Sequence, residues 1–236
     1  RQSKPSVLLR RSARRPSREE VVIGYIGRLV PEKGVDVLLE AVAQLRGPWE
    51  LRILGSGPDQ ERLVKMAQWL GILPRVTFDN PIPSTQLPYY YSGLDVLVLP
   101  SRTLPNWKEQ FGRVLIEAMA CQVVVIGAHC GAIPEVIGDA GLTFTEGEPT
   151  ELRARLQQVL DNPELRRDLA EKGRRRVLDT FTQAQIAART AAVYRQVMAE
   201  PLAAAEQSPD LVPEAMSAAG LLADQTPEAV SEVPTD

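Results

Sequence analysis

One histidine, His129, and two cysteines, Cys121 and Cys130, are all that the 236-residue chain offers of those residue types. They lack the spacing of a zinc site, and two cysteines around one strand-like run make no disulfide framework, so the chain fits a reducing, cytoplasmic setting. Cys121 reads as a small buried residue. No apolar run is long enough to span a membrane, and no charged, apolar, small-residue leader pattern is present. There is no full G-x-G-x-x-G. The lone Gly55-Ser56-Gly57 reads as a tight turn after a strand, which disfavours a dinucleotide dehydrogenase. A net charge of −3 gives no general pull toward nucleic acid. Trp49, Trp69 and Trp107 are too scattered to read as a base-stacking platform.

What the chain does have is enough apolar residue, 44%, for one substantial core of ordinary domain size. Strand-like and helix-like stretches alternate. Strands are expected at Val21 to Ile26, Glu50 to Leu54, Val76 to Phe78, Asp95 to Leu99, Val123 to Gly127 and Leu142 to Phe144. Helices are expected at Val35 to Leu45, Asp59 to Leu70, Ser84 to Tyr91, Phe111 to Ala120, from Ile133, and then at Thr150 to Leu160, Pro163 to Thr180 and Gln183 to Met198. Such βα alternation implies an α/β fold: a Rossmann-like parallel sheet with helices on both faces.

The two ends differ from the middle. Residues 1–20 hold Arg10, Arg11, Arg14, Arg15 and Arg18 among Ser and Pro, as in a linker from a preceding domain. A solvated hinge is one reading of this segment; attraction to anionic lipid or an acidic partner is the other. From residue 199 to 236 all charges are acidic, among Ala, Pro and Ser, which reads as a disordered tail. The nucleotide-binding domain is therefore placed at residues 21–198.

Two segments carry chemistry. Gly27-Arg28 directly follows the first strand, and Lys33-Gly34 opens the next helix. In open α/β sheets ligands bind beyond the carboxyl ends of the strands. There an Arg can fork to two phosphate oxygens while a Lys supplies a compact charge, which suits a pyrophosphate. In the second segment, Glu109 and Glu117 stand eight positions apart around a Phe111-Gly112 step that opens an apolar helix. With a start near Phe111, the amides of Gly112, Arg113 and Val114 lack intrahelical acceptors and face the positive end of the helix dipole. A helix end of this kind holds phosphate, and Gly112 has no side chain to keep an anion away. Glu117 would lie about 9 Å along the helix. At that distance a carboxylate can accept hydrogen bonds from ribose hydroxyls.

Taken in order, these segments and several others match a known pattern. They are Gly27-Arg28-Leu29-Val30-Pro31-Glu32-Lys33-Gly34, Gly55-Ser56-Gly57-Pro58, Pro100-Ser101 leading to Glu109-Gln110-Phe111-Gly112, Glu117-Ala118-Met119-Ala120, and Ile133-Pro134-Glu135-Val136-Ile137. With them the chain resembles the C-terminal, donor-binding domain of the retaining glycosyltransferases of family 4, the glycosyl transferases group 1. The resemblance implies the C-terminal half of a GT-B fold, in which two Rossmann-like domains face each other. It also implies a nucleotide-diphosphate sugar as substrate, no metal and no other cofactor. Arg28 and Lys33 would hold the donor diphosphate, with Gly27 beside them. Glu117 would hold the ribose. Glu109 and the amides of Phe111, Gly112, Arg113 and Val114 would face the transferred sugar and the distal phosphate. The turn from Asp79 to Pro83 would lie at the nucleotide base. The acceptor, a saccharide or a lipid-linked one, would bind mostly to an N-terminal half that the chain is too short to include, so this chain alone is expected to transfer sugar poorly. Polysaccharide biosynthesis in the cytoplasm is the expected setting, with peripheral contact at the inner face of the membrane if the basic segment binds anionic lipid.

The chain departs from the pattern beyond the motif helix. Gln122, Val123 and Val124 replace the usual G-x-P, Ala128-His129-Cys130-Gly131 replaces a Ser/Thr-rich loop, and Ala132 stands where an acidic residue is common. These changes leave the donor sugar open. They also keep two other readings in view: an epimerase or phosphorylase of nucleotide sugars on the same fold, and a non-catalytic nucleotide-binding scaffold.

Overall fold

The computed structural model describes residues 20–205, with side chains to Met198. The basic segment falls outside the described residues except for Glu20, as does the acidic tail beyond Ala205. Six strands alternate with helices in chain order: β1 (Val21–Ile26), α1 (Val35–Ala43), β2 (Trp49–Leu54), α2 (Gln60–Trp69), β3 (Val76–Asp79), α3 (Leu87–Ser92), β4 (Val96–Leu99), α4 (Arg113–Ala120), β5 (Val124–Ala128), α5 (Ile133–Ile137) and β6 (Leu142–Phe144). The helices α6 (Pro149–Asp161), α7 (Pro163–Thr180) and α8 (Gln183–Ala205) follow. The described residues belong to two units, one ending at Ile186 and one beginning at Ala187.

The sheet is wholly parallel, in the order β3-β2-β1-β4-β5-β6. All six residues of β1 are buried, as are all of β4 and β5. Strands covered on both faces need no polar alternation, which is why they read in sequence as unbroken apolar runs. On one side α1 buries Val35, Leu38, Leu39 and Val42; on α4 the buried residues are Leu115, Ala118 and Met119, at helical spacing. The α7 start is capped by Asn162, whose side chain accepts from the Leu165 amide at 2.9 Å.

Topology fixes the place of the site. The chain winds outward from β1 to β2 and β3, then returns to lay β4 on the other side of β1, in register Ile23 to Val96. Between β1 and β4 the connections diverge, and the crevice beyond their carboxyl ends is where such sheets take ligands. The loops at 27–34 and 100–112 open onto it.

Local differences from expectation have simple causes. The stretch 84–91 is a single 3-10 turn, Ser84–Gln86, followed by α3, with Pro88 in the first turn of that helix. The expected helix at Phe111 starts two residues later, at Arg113, because Gly112 takes a left-handed φ of 73° and serves as its N-cap. The last helix continues past Met198 to Ala205.

Candidate functional site

The loop after β1 is held by its neighbours before any charge is considered. The Leu29 amide donates to the Ser56 carbonyl at 2.9 Å, and the Asp59 amide to the Leu29 carbonyl at 3.1 Å. Gly55-Ser56-Gly57 therefore braces the Arg28 loop with its backbone. Beneath the loop the Tyr25 hydroxyl donates to the Arg28 carbonyl at 2.7 Å. Burial first, and then the charge of Glu109, push the Tyr25 phenol above its ordinary range, with Arg28 pulling the other way and Glu32 adding to the rise. Tyr25 thus remains a donor at any physiological pH, and Arg28, Glu32 and Glu109 all lie within electrostatic reach of its hydroxyl.

Lys33 is the best-defined cation of the site. Its Nζ donates to Glu109 Oε2 at 2.6 Å, with the two side chains only 16% and 13% exposed. The same oxygen accepts from the Ser101 hydroxyl at 3.2 Å, and Ser101 is fully buried. The Trp107 ring lies 4.7 Å from Lys33 Nζ, a cation–π distance. An ammonium has three donor hydrogens, so one bond to Glu109 leaves others for an anion in the crevice. Arg28 is looser: its guanidinium is 69% exposed and lies 3.7 Å from Glu32. Such a pair contributes little and is free to rearrange around a ligand.

Glu109 is fixed from behind as well. Its carbonyl accepts the Ala132 amide at 3.1 Å, across the turn that leads into α5. Gly131 sits in that turn at φ 56°, and a Cβ added there would strike the Glu109 carbonyl, 2.8 Å from its carbon. Only glycine allows the two backbones to approach this closely without strain. The Arg102 amide donates to the Glu32 carbonyl at 2.9 Å, and the Arg102 side chain pairs with Asp36, which also takes Arg62 at 3.4 Å. Thr103 adds a hydroxyl and an amide to Glu146, both at 2.9 Å. The 100–112 loop is thereby tied to three other segments.

At the start of α4, the Arg113 and Val114 amides are left without intrahelical acceptors by helix geometry, and the positive end of the helix dipole adds to them. The Phe111 amide precedes the helix, and the Phe111 ring packs edge-on against Phe181 with centroids 5.9 Å apart. Glu117 lies four residues past Arg113, about 6 Å along the axis rather than the 9 Å expected. It accepts from Tyr91 at 2.8 Å and pairs with Arg113 at 3.3 Å. At the far side Asp79 accepts from the Tyr90 hydroxyl at 2.8 Å, and the Asp79 carbonyl takes the Gly55 amide at 3.0 Å.

Lys33 and Glu109 are thus in direct contact, with Arg28 and Gly27 in the adjoining loop, and Gly112, Arg113, Val114 and Glu117 form the neighbouring helix start. Tyr25, Tyr91, Ser101 and Trp107 were not among the expected site residues. Ser101 alone carried a signal, as part of Pro100-Ser101; Trp107 was legible only as one of three scattered tryptophans. Among the described residues no three His, Cys, Asp or Glu side chains cluster as a metal site would require, and no helix is long and apolar enough to cross a membrane.

A family model described as glycosyl transferases group 1 matches residues 9–176. The GDP-mannose-dependent alpha-(1-6)-phosphatidylinositol monomannoside mannosyltransferase of Mycolicibacterium smegmatis is 34% identical over 168 residues, covering 68% of this chain and 44% of the relative. Among solved structures, sucrose-phosphate synthase from Thermosynechococcus elongatus superposes with a TM-score of 0.67 at 32% identity, over 77% of this chain and 46% of its own. The C-terminal domain of a glycosyl transferase group 1 family protein from Francisella tularensis gives a TM-score of 0.62 at 26% identity, over 69% of this chain and 87% of its own. The chain spans less than half the length of the curated relative.

Proposed function

The chain belongs to the glycosyl transferases group 1 family, and from that premise we propose that it is the donor-binding part of a retaining glycosyltransferase, taking a nucleotide-diphosphate sugar in the crevice between β1 and β4. The observation that carries this reading is the meeting of Lys33 and Glu109, 76 residues apart in sequence, with the exposed Arg28 in the same loop as Lys33. Arg28, Lys33 and the Arg113 and Val114 amides hold the diphosphate, Glu117 the ribose, and Glu109 faces the transferred sugar. The dependence of the mycobacterial relative on GDP-mannose supports a nucleotide-sugar donor. That the mycobacterial relative is a mannosyltransferase favours transfer over the epimerase, phosphorylase and scaffold readings.

Breaking the bond between the sugar and the diphosphate builds negative charge on the leaving group and positive charge on the anomeric carbon. Cationic side chains and fixed amides in a half-buried crevice stabilise the first without a metal. The diphosphate departs on the same face that the acceptor hydroxyl attacks, the hydroxyl proton passing to the departing phosphate oxygen, and the anomeric configuration is preserved. The acceptor, a saccharide or a lipid-linked one, binds to a further part of the protein, and the basic segment at residues 1–20 contributes peripheral contact with an anionic membrane face in the cytoplasm.

Turnover of the protein carrying its acceptor-binding part tests this reading. Losing one charge-stabilising donor costs about 3 kcal/mol at the transition state, so Lys33→Ala lowers kcat at least about a hundredfold. Near-normal turnover would remove Lys33 from the diphosphate site.

A further inference from the structure

The carboxylate of Glu117 has two neighbours of different kinds. Its Oε1 lies 3.3 Å from Arg113 Nε, but Arg113 is 82% exposed and stands one turn earlier on the same helix. An exposed i,i+4 pair is weak and free to swing away. Its Oε2 accepts a 2.8 Å hydrogen bond from the Tyr91 hydroxyl, which arrives from α3, and Tyr91 is 1% exposed. A ring packed in the core cannot follow a moving partner. Burial first, and the Glu117 charge second, push the Tyr91 phenol above the ordinary tyrosine range, so it stays protonated and keeps donating.

A glutamate on a helix surface samples several rotamers, and one hydrogen bond from a fixed donor selects among them. That bond also occupies one oxygen. We propose that Tyr91 is a positioning residue for ribose recognition: it holds Glu117 so that Oε1 is the oxygen offered to the 2′ and 3′ hydroxyls of a nucleoside diphosphate, and it thereby sets the preference for ribose over sugars lacking those hydroxyls. The proposal rests on Glu117 being the ribose ligand. The residue comes from Tyr89-Tyr90-Tyr91, and the three rings have separate fates: Tyr89 is 62% exposed, Tyr90 binds Asp79 and Tyr91 binds Glu117.

Calorimetry on the full chain tests it, using whichever of GDP and UDP binds more tightly and the 2′,3′-dideoxy form of that nucleotide. Tyr91→Phe keeps the ring and removes only the donor. It weakens binding of the ribonucleotide about tenfold, the scale of one hydrogen bond to a charged group, and changes binding of the dideoxy form less than about twofold. Glu117→Gln likewise brings the ribonucleotide down to the dideoxy level, and adding Tyr91→Phe to it causes no further loss. If Glu117→Gln abolishes ribose discrimination while Tyr91→Phe retains it, Tyr91 has no positioning role and the ribose role of Glu117 stands. Equal weakening of both nucleotides by Tyr91→Phe means a general structural role and overturns the proposal. If Glu117→Gln leaves discrimination intact, or if wild type binds neither GDP nor UDP, the underlying reading fails and the proposal with it.

Discussion

Substituting Gly131 by alanine tests how the site is assembled, because the position combines two separable penalties. Its φ of 56° is left-handed, and an L-residue with a Cβ pays about 1–2 kcal/mol there. The added Cβ also strikes the Glu109 carbonyl, 2.8 Å from its carbon, and lies 3.2 Å from the Glu109 backbone nitrogen. All three nearest atoms are Glu109 backbone, so no flexible side-chain end is there to yield. Moving Glu109 stretches its 3.1 Å bond from the Ala132 amide, worth about 1 kcal/mol, and displaces the carboxylate that meets Lys33 at 2.6 Å. Together the terms reach about 2–3 kcal/mol, which for a domain of this size lowers the melting temperature by about 5–10 °C. Gly147 supplies the control: its φ is 77°, but no atom lies within 4 Å of the added Cβ. Gly147→Ala should therefore show only the dihedral cost and leave nucleotide affinity unchanged. Thermal melts of both variants, with calorimetry against a nucleoside diphosphate, separate the terms. Equal melting shifts in the two variants, with equal nucleotide affinity, would refute the close approach of Gly131 to Glu109 as a feature that shapes the site.

Two more predictions follow from single observations. Trp107→Leu removes the ring 4.7 Å from Lys33 Nζ and, by loosening that side chain, weakens calorimetric binding of a nucleoside diphosphate about threefold while leaving the parent nucleoside unaffected. Gln122 holds a left-handed φ of 58° without being glycine, so Gln122→Gly relieves strain and raises the melting temperature by about 1–3 °C in a thermal scan, after allowing for the greater freedom of glycine in the unfolded chain.

The sheet was legible because its signals are local. A strand buried on both faces appears as a short apolar run, so β1 has the expected bounds; the edge strand β6, only partly buried, and the helix α7, Pro163–Thr180, also have theirs. The start of α4 was misplaced by two residues, since nothing in Phe111-Gly112 says that the glycine will turn left-handed before the helix instead of within it. Gln122 is the converse case: the sequence shows a missing glycine, while the backbone keeps the conformation that glycine would take.

Partner groups were the least legible part. Lys33 and Glu109 could each be named from motifs, but that the 100–112 loop folds back to put Trp107 on Lys33 and Ser101 on Glu109 depends on β4 lying next to β1, a tertiary fact. Tyr91 was hidden for a related reason. On α3 successive side chains turn by about 100°, so three adjacent tyrosines point three ways, and only the packed structure tells which one meets Glu117.

The most direct measurement is a crystal structure of this chain with a bound nucleoside diphosphate. Diphosphate oxygens are expected within about 3.2 Å of Lys33 Nζ, the Arg28 guanidinium and the Arg113 or Val114 amide, with the ribose hydroxyls on Glu117 Oε1. A nucleotide lodged elsewhere on the sheet, with Arg28 turned to solvent and Glu117 bound only to Tyr91 and Arg113, would contradict it.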